Sequence, residues 1–161
     1  MPKLLILFEA FADDIAQLAD AVAEGARGVR FAEVDVRRLG GTEFTTRGSY
    51  KALESADALA DYDGILLGAH GGQEDAVHEV LTTAASLVNK VGSVFTAARG
   101  GARRDILLAA LAPMADRGLI LVPPPLGDAP GDELELARAL GKRVAEVVGW
   151  VTHARSHHHH H

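Results

Sequence analysis

Cysteine is absent from the 161 residues of the chain, and this absence excludes disulfides, thiolate metal sites and cysteine nucleophiles. The sequence also lacks an apolar run near the ~20 residues that a membrane-spanning helix needs. No signal peptide precedes the first apolar segment. We therefore expect a cytoplasmic protein with no membrane partner.

A strong excess of positive charge is absent as well. The formal net charge is −6, which disfavours nucleic acid and anionic membrane surfaces as partners. Three further signatures do not occur: Gly-x-Ser-x-Gly, the Walker phosphate loop and the Rossmann glycine fingerprint. Hydrophobic residues make up 48% and charged residues 24% of the chain, a balance typical of a globular domain.

The length predicts a single domain, residues 1–154. Residues 155–161 read Arg-Ser followed by five histidines and are typical of an expression tag, so they carry no functional argument. Outside the tag the histidines are His70, His78 and His153, and the last lies beside the tag.

Apolar runs alternate with amphipathic helical stripes along the chain. Strands are predicted at residues 4–8, 29–36, 64–68, 91–97 and 119–122, and helices at 15–26, 51–59, 73–89, 103–117 and 132–151, with a loop at 37–50. Five β-α units predict parallel strands joined by right-handed crossovers. The expected fold class is α/β, a flavodoxin-like three-layer sandwich with a five-stranded parallel sheet in the order 2-1-3-4-5.

A ligand site is expected beyond the carboxyl ends of these strands. In an open parallel sheet, ligands bind there at the point where the strand order reverses. Three predicted loops meet at that point, residues 9–14, 68–74 and 96–105. The unusual residues of the chain are concentrated in them.

Several segments resemble the WrbA-type NAD(P)H:quinone oxidoreductases, and the similarity covers nearly the whole chain in the right order. The segments are Ala21–Ala26, Leu59–Gly64, Val91–Phe95, Gly118–Pro123 and Leu136–Ala145. The resemblance implies a flavodoxin-like fold, FMN as cofactor, oxidoreductase activity and a homodimer or higher homo-oligomer. It also implies a small-molecule ligand, which would be a flavin, a nicotinamide nucleotide or a quinone.

Carried onto this sequence, the resemblance assigns the cofactor site to residues of all three loops. They are Ala10, Phe11, Ala12, Asp13 and Asp14 of the first loop, Ala69, His70, Gly71 and Gly72 of the second, and Thr96, Ala97, Ala98, Arg99, Gly100 and Gly101 of the third. No catalytic residue and no metal ligand is assigned.

These positions depart from the family pattern. Ala10 stands where the family has serine, Asp13 where it has glycine, and Asp14 where it has a polar residue or histidine. The second loop replaces a Gly-Thr-Pro-Thr-Arg-Phe-Gly-Asn segment, and only part of the third-loop flavin cradle is kept. The family histidines before the fifth strand are Asp-Arg here, and a family insertion after that strand is shortened to residues 123–130.

The two aspartates bear on the phosphate of FMN. At ~5 Å and an effective dielectric constant of 20, each carboxylate repels a unit negative charge by about 3 kcal/mol. A residual cost of about 3 kcal/mol lowers affinity roughly a hundredfold. Aspartates at a helix start also satisfy its free amides and its dipole. The sequence therefore predicts that the protein fills its own anion position and that FMN binding is weak or lost.

Three alternatives remain open at this point. Arg99, Arg103 and Arg104 could pair with Glu9, Asp13 or Asp14, bind an anionic ligand in a new position, or form a solvated run of charge. The flavin could still be held by backbone amides of the second and third loops, which would leave a working NAD(P)H oxidoreductase. A weaker hypothesis is a metal or acid–base site of His70 with Asp13, Glu74 and His78.

Overall fold

The computed structural model of the protein describes residues 1–10, 13–41, 44–45, 48–69, 74–126 and 132–158. Its strands are β1 (Lys3–Ala10), β2 (Glu33–Gly41), β3 (Phe44–Thr45), β4 (Gly48–Ser49), β5 (Lys51–Ala52), β6 (Gly64–Ala69), β7 (Val91–Thr96) and β8 (Ile120–Leu121). Its helices are α1 (Asp13–Arg27), α2 (Glu74–Thr83), α3 (Gly101–Asp116) and α4 (Glu133–His158), with a 3₁₀-helix at Ala56–Asp61.

The main sheet has the order β5-β2-β1-β6-β7-β8, and all of its strand pairs are parallel. Its five strands β2-β1-β6-β7-β8 reproduce the predicted order 2-1-3-4-5, so the predicted fold class is confirmed. The sixth strand is the difference. β5 adds two residues at the edge, where Lys51 and Ala52 pair with Arg37 and Arg38 of β2.

Three sequence predictions about secondary structure are wrong. The loop predicted at 37–50 contains the second half of β2, which ends at Gly41, and the short strands β3 and β4. The short helix predicted at 51–59 is replaced by β5 and the later 3₁₀-helix, because the backbone there bonds to β2; the Leu53 amide donates to the Arg38 carbonyl at 2.9 Å. The helix predicted at 73–89 ends at Thr83. Beyond that end, the Arg117 guanidinium donates to the carbonyls of Ala84 and Ala85 at 2.6 and 2.7 Å.

Strand β1 divides the hydrophobic core into two layers. Leu4, Ile6 and Phe8 pack in the layer that contains α1 and α4. Leu5 and Leu7 pack in the other layer, which contains α2 and α3. Both sets are fully buried, which explains the unbroken apolar run in the sequence. Each such side chain contributes roughly 1.5–3 kcal/mol by leaving water. No helix within the described ranges is long and apolar enough to span a bilayer.

Helices α1 and α4 cross at two glycines. A Cβ atom on Gly25 would lie 1.9 Å from the Arg138 carbonyl oxygen, and one on Gly141 would lie 2.0 Å from the Val22 carbonyl oxygen. Only glycine allows backbones to approach so closely. The crossing therefore holds α1 against α4, and the starts of both helices line one cavity at the carboxyl edge of the sheet.

Candidate functional site

An open cavity of about 540 Å³ lies at the carboxyl edge, on the face of the sheet covered by α1 and α4. Three parts of the chain form its walls. They are the first turns of α1 and α4 and the β7–α3 connection, which contribute Asp14, Gln17, Ala98, Arg99, Arg103 and Glu133 among others. The cavity therefore lies beside two of the three loops at which the sequence predicts a ligand site.

The start of α1 is acidic. Asp14 is exposed, and its carboxylate oxygen Oδ1 accepts a hydrogen bond from the Ile15 amide at 2.8 Å. The first-turn amides of a helix are the groups that usually bind an anion. At this helix the protein's own carboxylate accepts from one of those amides.

The start of α4 is acidic in the same way. Asp132 accepts a hydrogen bond from the Leu134 amide at 2.9 Å, the arrangement of an N-cap. Glu133 follows and pairs with Arg99, with 2.8 Å between its Oε1 and the arginine Nε. The Arg99 side chain is 81% exposed, so this ion pair contributes little to stability. The ion pair nevertheless holds the Arg99 guanidinium beside the start of α4.

The start of α3 is different because it carries arginines and no carboxylate in its first turn. Its N-cap, Gly100, has φ 67° and ψ −150° and supplies no side-chain hydrogen bond, a conformation open to glycine. Arg103 and Arg104 follow within the first turn. The Arg103 guanidinium donates to the Pro125 carbonyl, which ties α3 to the segment after β8.

The end of β7 is fixed by a buried hydroxyl. Thr96 Oγ1 donates to the Ala69 carbonyl at 2.8 Å and accepts from the Ala98 amide at 3.2 Å. One side chain thus joins the end of β6 to the β7–α3 connection. Because both hydrogen bonds are made within the protein, Thr96 positions the β7–α3 connection.

Glu9 is a buried carboxylate near the same edge. It lies one residue before the end of β1 and is 1% exposed. By strand alternation it shares the face of Leu5 and Leu7, which pack in the layer of α2 and α3. This face is opposite the one that carries the cavity.

The structure brings some of the predicted site residues together. Asp14, Ala98, Arg99 and Gly100 line the same cavity, and Gly101 begins α3. Ala69 and Thr96 are joined by a hydrogen bond, and Ala97 follows β7, half-buried. Ala10 ends β1 and Asp13 begins α1, but the side chains of both lie outside the described set.

Other predicted residues cannot be compared with the structure. Phe11, Ala12, His70, Gly71 and Gly72 lie outside the described residues, as do the side chains of Glu74 and His78. The His70-centred hypothesis therefore stays a prediction. Among the residues that are described, no three histidine, aspartate or glutamate side chains are grouped closely enough to hold a metal ion.

Helix α4 contributes cavity residues that were not predicted from the sequence. Asp132, Glu133 and Leu134 line the cavity together with Gln17 and Leu18 of α1. A signal was present, since every helix that follows a parallel strand begins at the carboxyl edge. What the sequence did not contain was a reason to place α4 beside α1.

The opposite edge of the sheet is held by a separate polar network. Burial raises the pKa of Tyr62 to about 12, helped by the hydrogen bond that its hydroxyl donates to Asp35 at 2.7 Å. Burial also lowers the pKa of Lys90, whose ammonium donates to the carbonyls of Ala60 and Tyr62. These groups join neighbouring elements and lie away from the cavity.

The fold places the chain in the flavodoxin-like class. An archaeal flavodoxin superposes with a TM-score of 0.64 at 16% identity, over 91% of this chain and 99% of the flavodoxin. Flavodoxin 2 from Bacillus cereus superposes with a TM-score of 0.66 at 22% identity, over 89% and 98% of the respective chains. At these identities the similarity establishes the fold.

The family follows from closer relatives. The NAD(P)H dehydrogenase (quinone) of Acidithiobacillus ferrooxidans is 30% identical over 195 residues, covering 92% of this chain and 98% of the relative. Its counterpart in Archaeoglobus fulgidus is 30% identical over 188 residues, with the same two coverages. The chain belongs to this NAD(P)H:quinone oxidoreductase family, as its resemblance to WrbA-type proteins implied. No protein-family model matches the sequence.

The family alignment also shows a difference in length. It spans 195 positions, more than the 161 residues of the chain. The relative therefore carries segments that this chain lacks. The expectation that one of them follows β8, where residues 123–130 are short, stays a prediction.

Proposed function

We propose that the protein is a ligand-binding member of the quinone oxidoreductase family in which FMN binding is weak or lost. The fold and the relatives establish the relation to oxidoreductases. The proposal concerns the start of α1, where the resemblance assigns the phosphate of FMN.

One observation carries the proposal: the Asp14 carboxylate accepts a hydrogen bond from the Ile15 amide at 2.8 Å. A phosphate at this helix start would lose an amide donor and would meet a negative charge in its place. At ~5 Å the repulsion is about 3 kcal/mol per unit charge at a dielectric constant of 20. Asp13, the first residue of α1, adds a second carboxylate to the same turn.

Among the described residues, two of the other predicted donors are already engaged within the protein. Arg99 is paired with Glu133 on α4, and the Thr96 hydroxyl is bonded to Ala69 and Ala98. The described residues at the start of α1 therefore do not fit the phosphate of FMN, and we derive no flavin chemistry from them.

The test is a comparison of FMN affinity between the native protein and the double variant Asp13→Gly, Asp14→Thr. We expect the native protein to emerge colourless from a desalting column after incubation with FMN. The double variant should bind FMN roughly a hundredfold more tightly, measured by flavin fluorescence titration. Asp116→Thr, which changes an exposed aspartate at the end of α3, is the control. Stoichiometric retention of FMN by the native protein would overturn the proposal.

A working FMN-dependent NAD(P)H:quinone oxidoreductase is the second candidate. It is favoured by the two relatives of that name, which align with 92% of the chain. In this case backbone amides of the second and third loops would hold the flavin. Reduction of a quinone by NADH or NADPH that depends on added FMN would support it. A rate that FMN leaves unchanged would exclude it.

We further propose a single-domain, cytoplasmic protein that forms a homodimer or a higher homo-oligomer and binds a flavin, a nicotinamide nucleotide or a quinone. Support for self-association comes from two exposed aromatic side chains, Phe31 at 72% and Trp150 at 58%. Phe31 also has a positive φ of 68°, a strained conformation for an aromatic residue. Light scattering after removal of the tag measures the oligomer, and a monomeric mass would contradict it.

A further inference from the structure

Strand β2 has an open edge along its first half. On one side β2 pairs with β1, while on the other side β5 reaches only Arg37 and Arg38. The β3–β4 hairpin forms a separate sheet. Within the described part of the chain, residues 33–36 therefore have no strand partner on their outer side, and we call them the β2 edge.

Three backbone groups point outward from the β2 edge. The Glu33 amide donates to the carbonyl of Pro2, on the side of β1, at 2.9 Å. Because the hydrogen-bonding direction alternates along a strand, the amide and the carbonyl of Val34 and the amide of Val36 point away from β1. Among the described residues, none of these three groups has a hydrogen-bond partner. Such an edge can pair with another extended chain.

A pocket of about 330 Å³ lies beside the β2 edge. Residues of α1, β2 and β5 and the residue before β5 form its walls, and they are Asp20, Arg27, Val34, Asp35, Val36, Arg37, Tyr50 and Lys51. The Tyr50 ring packs edge to face against Phe8, with 5.1 Å between the ring centroids. Since side chains of a strand alternate between its two faces, a pocket beside a free edge can receive a side chain of an added strand.

The charges of this pocket favour an anionic group. Each of its two carboxylates accepts a hydrogen bond from a tyrosine hydroxyl, at 3.1 Å for Asp20 and at 2.7 Å for Asp35. Arg37 lies 3.8 Å from Asp35. The other two cations, Arg27 and Lys51, are exposed and form no ion pair with the described residues. Unpaired positive charge beside a free strand edge favours an acidic partner.

We propose that the β2 edge binds an extended, acidic peptide segment of a partner protein. The segment adds to β2 as a short strand, so that its main chain pairs with Val34 and Val36 and an acidic side chain enters the pocket beside Arg27 and Lys51. Pairing of two β2 edges would bring the exposed cations of two copies together, so charge disfavours a second copy as the occupant. The described residues of this pocket and of the cavity at the carboxyl edge do not overlap, and the inference goes beyond the proposed function.

Labelled peptides test both the charge and the main-chain pairing. The probe is fluorescein-labelled Glu-Thr-Glu-Thr-Glu, titrated by fluorescence anisotropy at low ionic strength and at about pH 8, where the tag histidines are neutral. We expect saturable binding, and binding roughly tenfold weaker or less for the matched Lys-Thr-Lys-Thr-Lys peptide. N-methylation of the main-chain amides of the acidic peptide should weaken its binding roughly tenfold or more, because the donors for strand pairing are lost. No saturable binding, or equal binding of the methylated peptide, would overturn the inference.

A pair of charge-reversing variants tests the location. Lys51→Glu reverses an exposed cation of the pocket and should weaken the acidic peptide roughly tenfold or more. Lys142→Glu makes the same change of net charge on the exposed middle of α4 and should leave the affinity within about twofold. Equal weakening by the two variants would overturn the inference, because the net charge of the protein would then explain the binding.

A second pair of variants tests the strand pairing itself. Val34→Pro removes an outward amide and no hydrogen bond to β1, a change that an edge strand tolerates, and should weaken the acidic peptide roughly tenfold or more. Val34→Ala keeps the amide and should stay within about threefold. Circular dichroism and thermal unfolding identify a misfolded variant. Equal affinities of the two folded variants would contradict strand addition, and so would a dimer in light scattering that Val34→Pro converts to a monomer, because a second copy would then cover the β2 edge.

Discussion

The starts of α1 and α3 lie at the same edge of one sheet and have opposite chemistry. α1 begins with Asp13 and Asp14, and the Asp14 carboxylate accepts a hydrogen bond from the Ile15 amide. α3 begins with Gly100 as N-cap and continues with Arg103 and Arg104 in its first turn. The positive end of a helix dipole favours acids at the first site and disfavours the arginines at the second. A carboxylate thus accepts a hydrogen bond at the start of α1, while positive side chains lie at the start of α3.

The crossing of α1 and α4 is the feature whose loss should disrupt this arrangement most severely. Gly141→Ala places a Cβ about 2.0 Å from the Val22 carbonyl oxygen, so the helices must separate and the cavity walls must move apart. We expect a loss of roughly 3 kcal/mol or more in the free energy of unfolding, measured by urea denaturation.

Gly149→Ala is the matched control on the same helix. Nothing lies within 4 Å of its added Cβ, so the better helix propensity of alanine should stabilise by about 0.5–1 kcal/mol. Equal destabilisation by the two substitutions would show that the glycine crossing does not hold the helices together.

In the ion pair between Arg99 and Glu133, the carboxylate neutralises a positive charge just before the start of α3. Removing the carboxylate should therefore increase the difference in charge between the starts of α1 and α3. Glu133→Gln frees the exposed guanidinium of Arg99 and removes one negative charge from the cavity wall. FMN affinity should rise roughly tenfold at low salt and fall back in high salt. Glu135→Gln neutralises the other acid in the first turn of α4, and FMN affinity should stay within about twofold. An affinity that responds equally to both changes would contradict the role of the ion pair.

The smallest expected effect concerns the dipole of α3 itself. Arg104→Glu puts a carboxylate in a first turn that has none and should stabilise the protein by about 0.5–1 kcal/mol in thermal unfolding. Lys142→Glu makes the same charge change on the exposed middle of α4, far from a helix end, and controls for net charge. Equal changes in thermal stability for the two variants would mean that the dipole at the start of α3 contributes no measurable stabilisation.

Much of the fold could be predicted from local patterns. The apolar runs of β1, β6 and β7 predicted buried parallel strands, and these strands lie in the middle of the sheet with apolar side chains packed in the core. Residues 51–59 could not be predicted in the same way. Their helical pattern gave way to hydrogen bonds with β2, since a tertiary partner outweighs a propensity of a few tenths of a kcal/mol per residue.

Some features of the candidate site could likewise be predicted from local sequence, and others could not. Residue spacing was enough to bring Asp14 and Arg99 to one edge of the sheet, because the loops after parallel strands meet there. The partner of Arg99 was not predictable, since Glu133 lies 34 residues further along the chain. Charge alone allowed Glu9, Asp13 or Asp14 as its partner.

Local sequence was sufficient for the α/β alternation, for the strand order expected of that class, and for the acidic start of α1. These properties depend on residue periodicity and on the residue types of one turn, both of which can be read without knowing the neighbours in space. Tertiary packing placed α4 against α1, paired Glu133 with Arg99, and thereby formed a cavity with a negative wall. None of this could be read locally, because the close backbone contact at Gly25 and Gly141 brings together helix starts that are far apart in the chain.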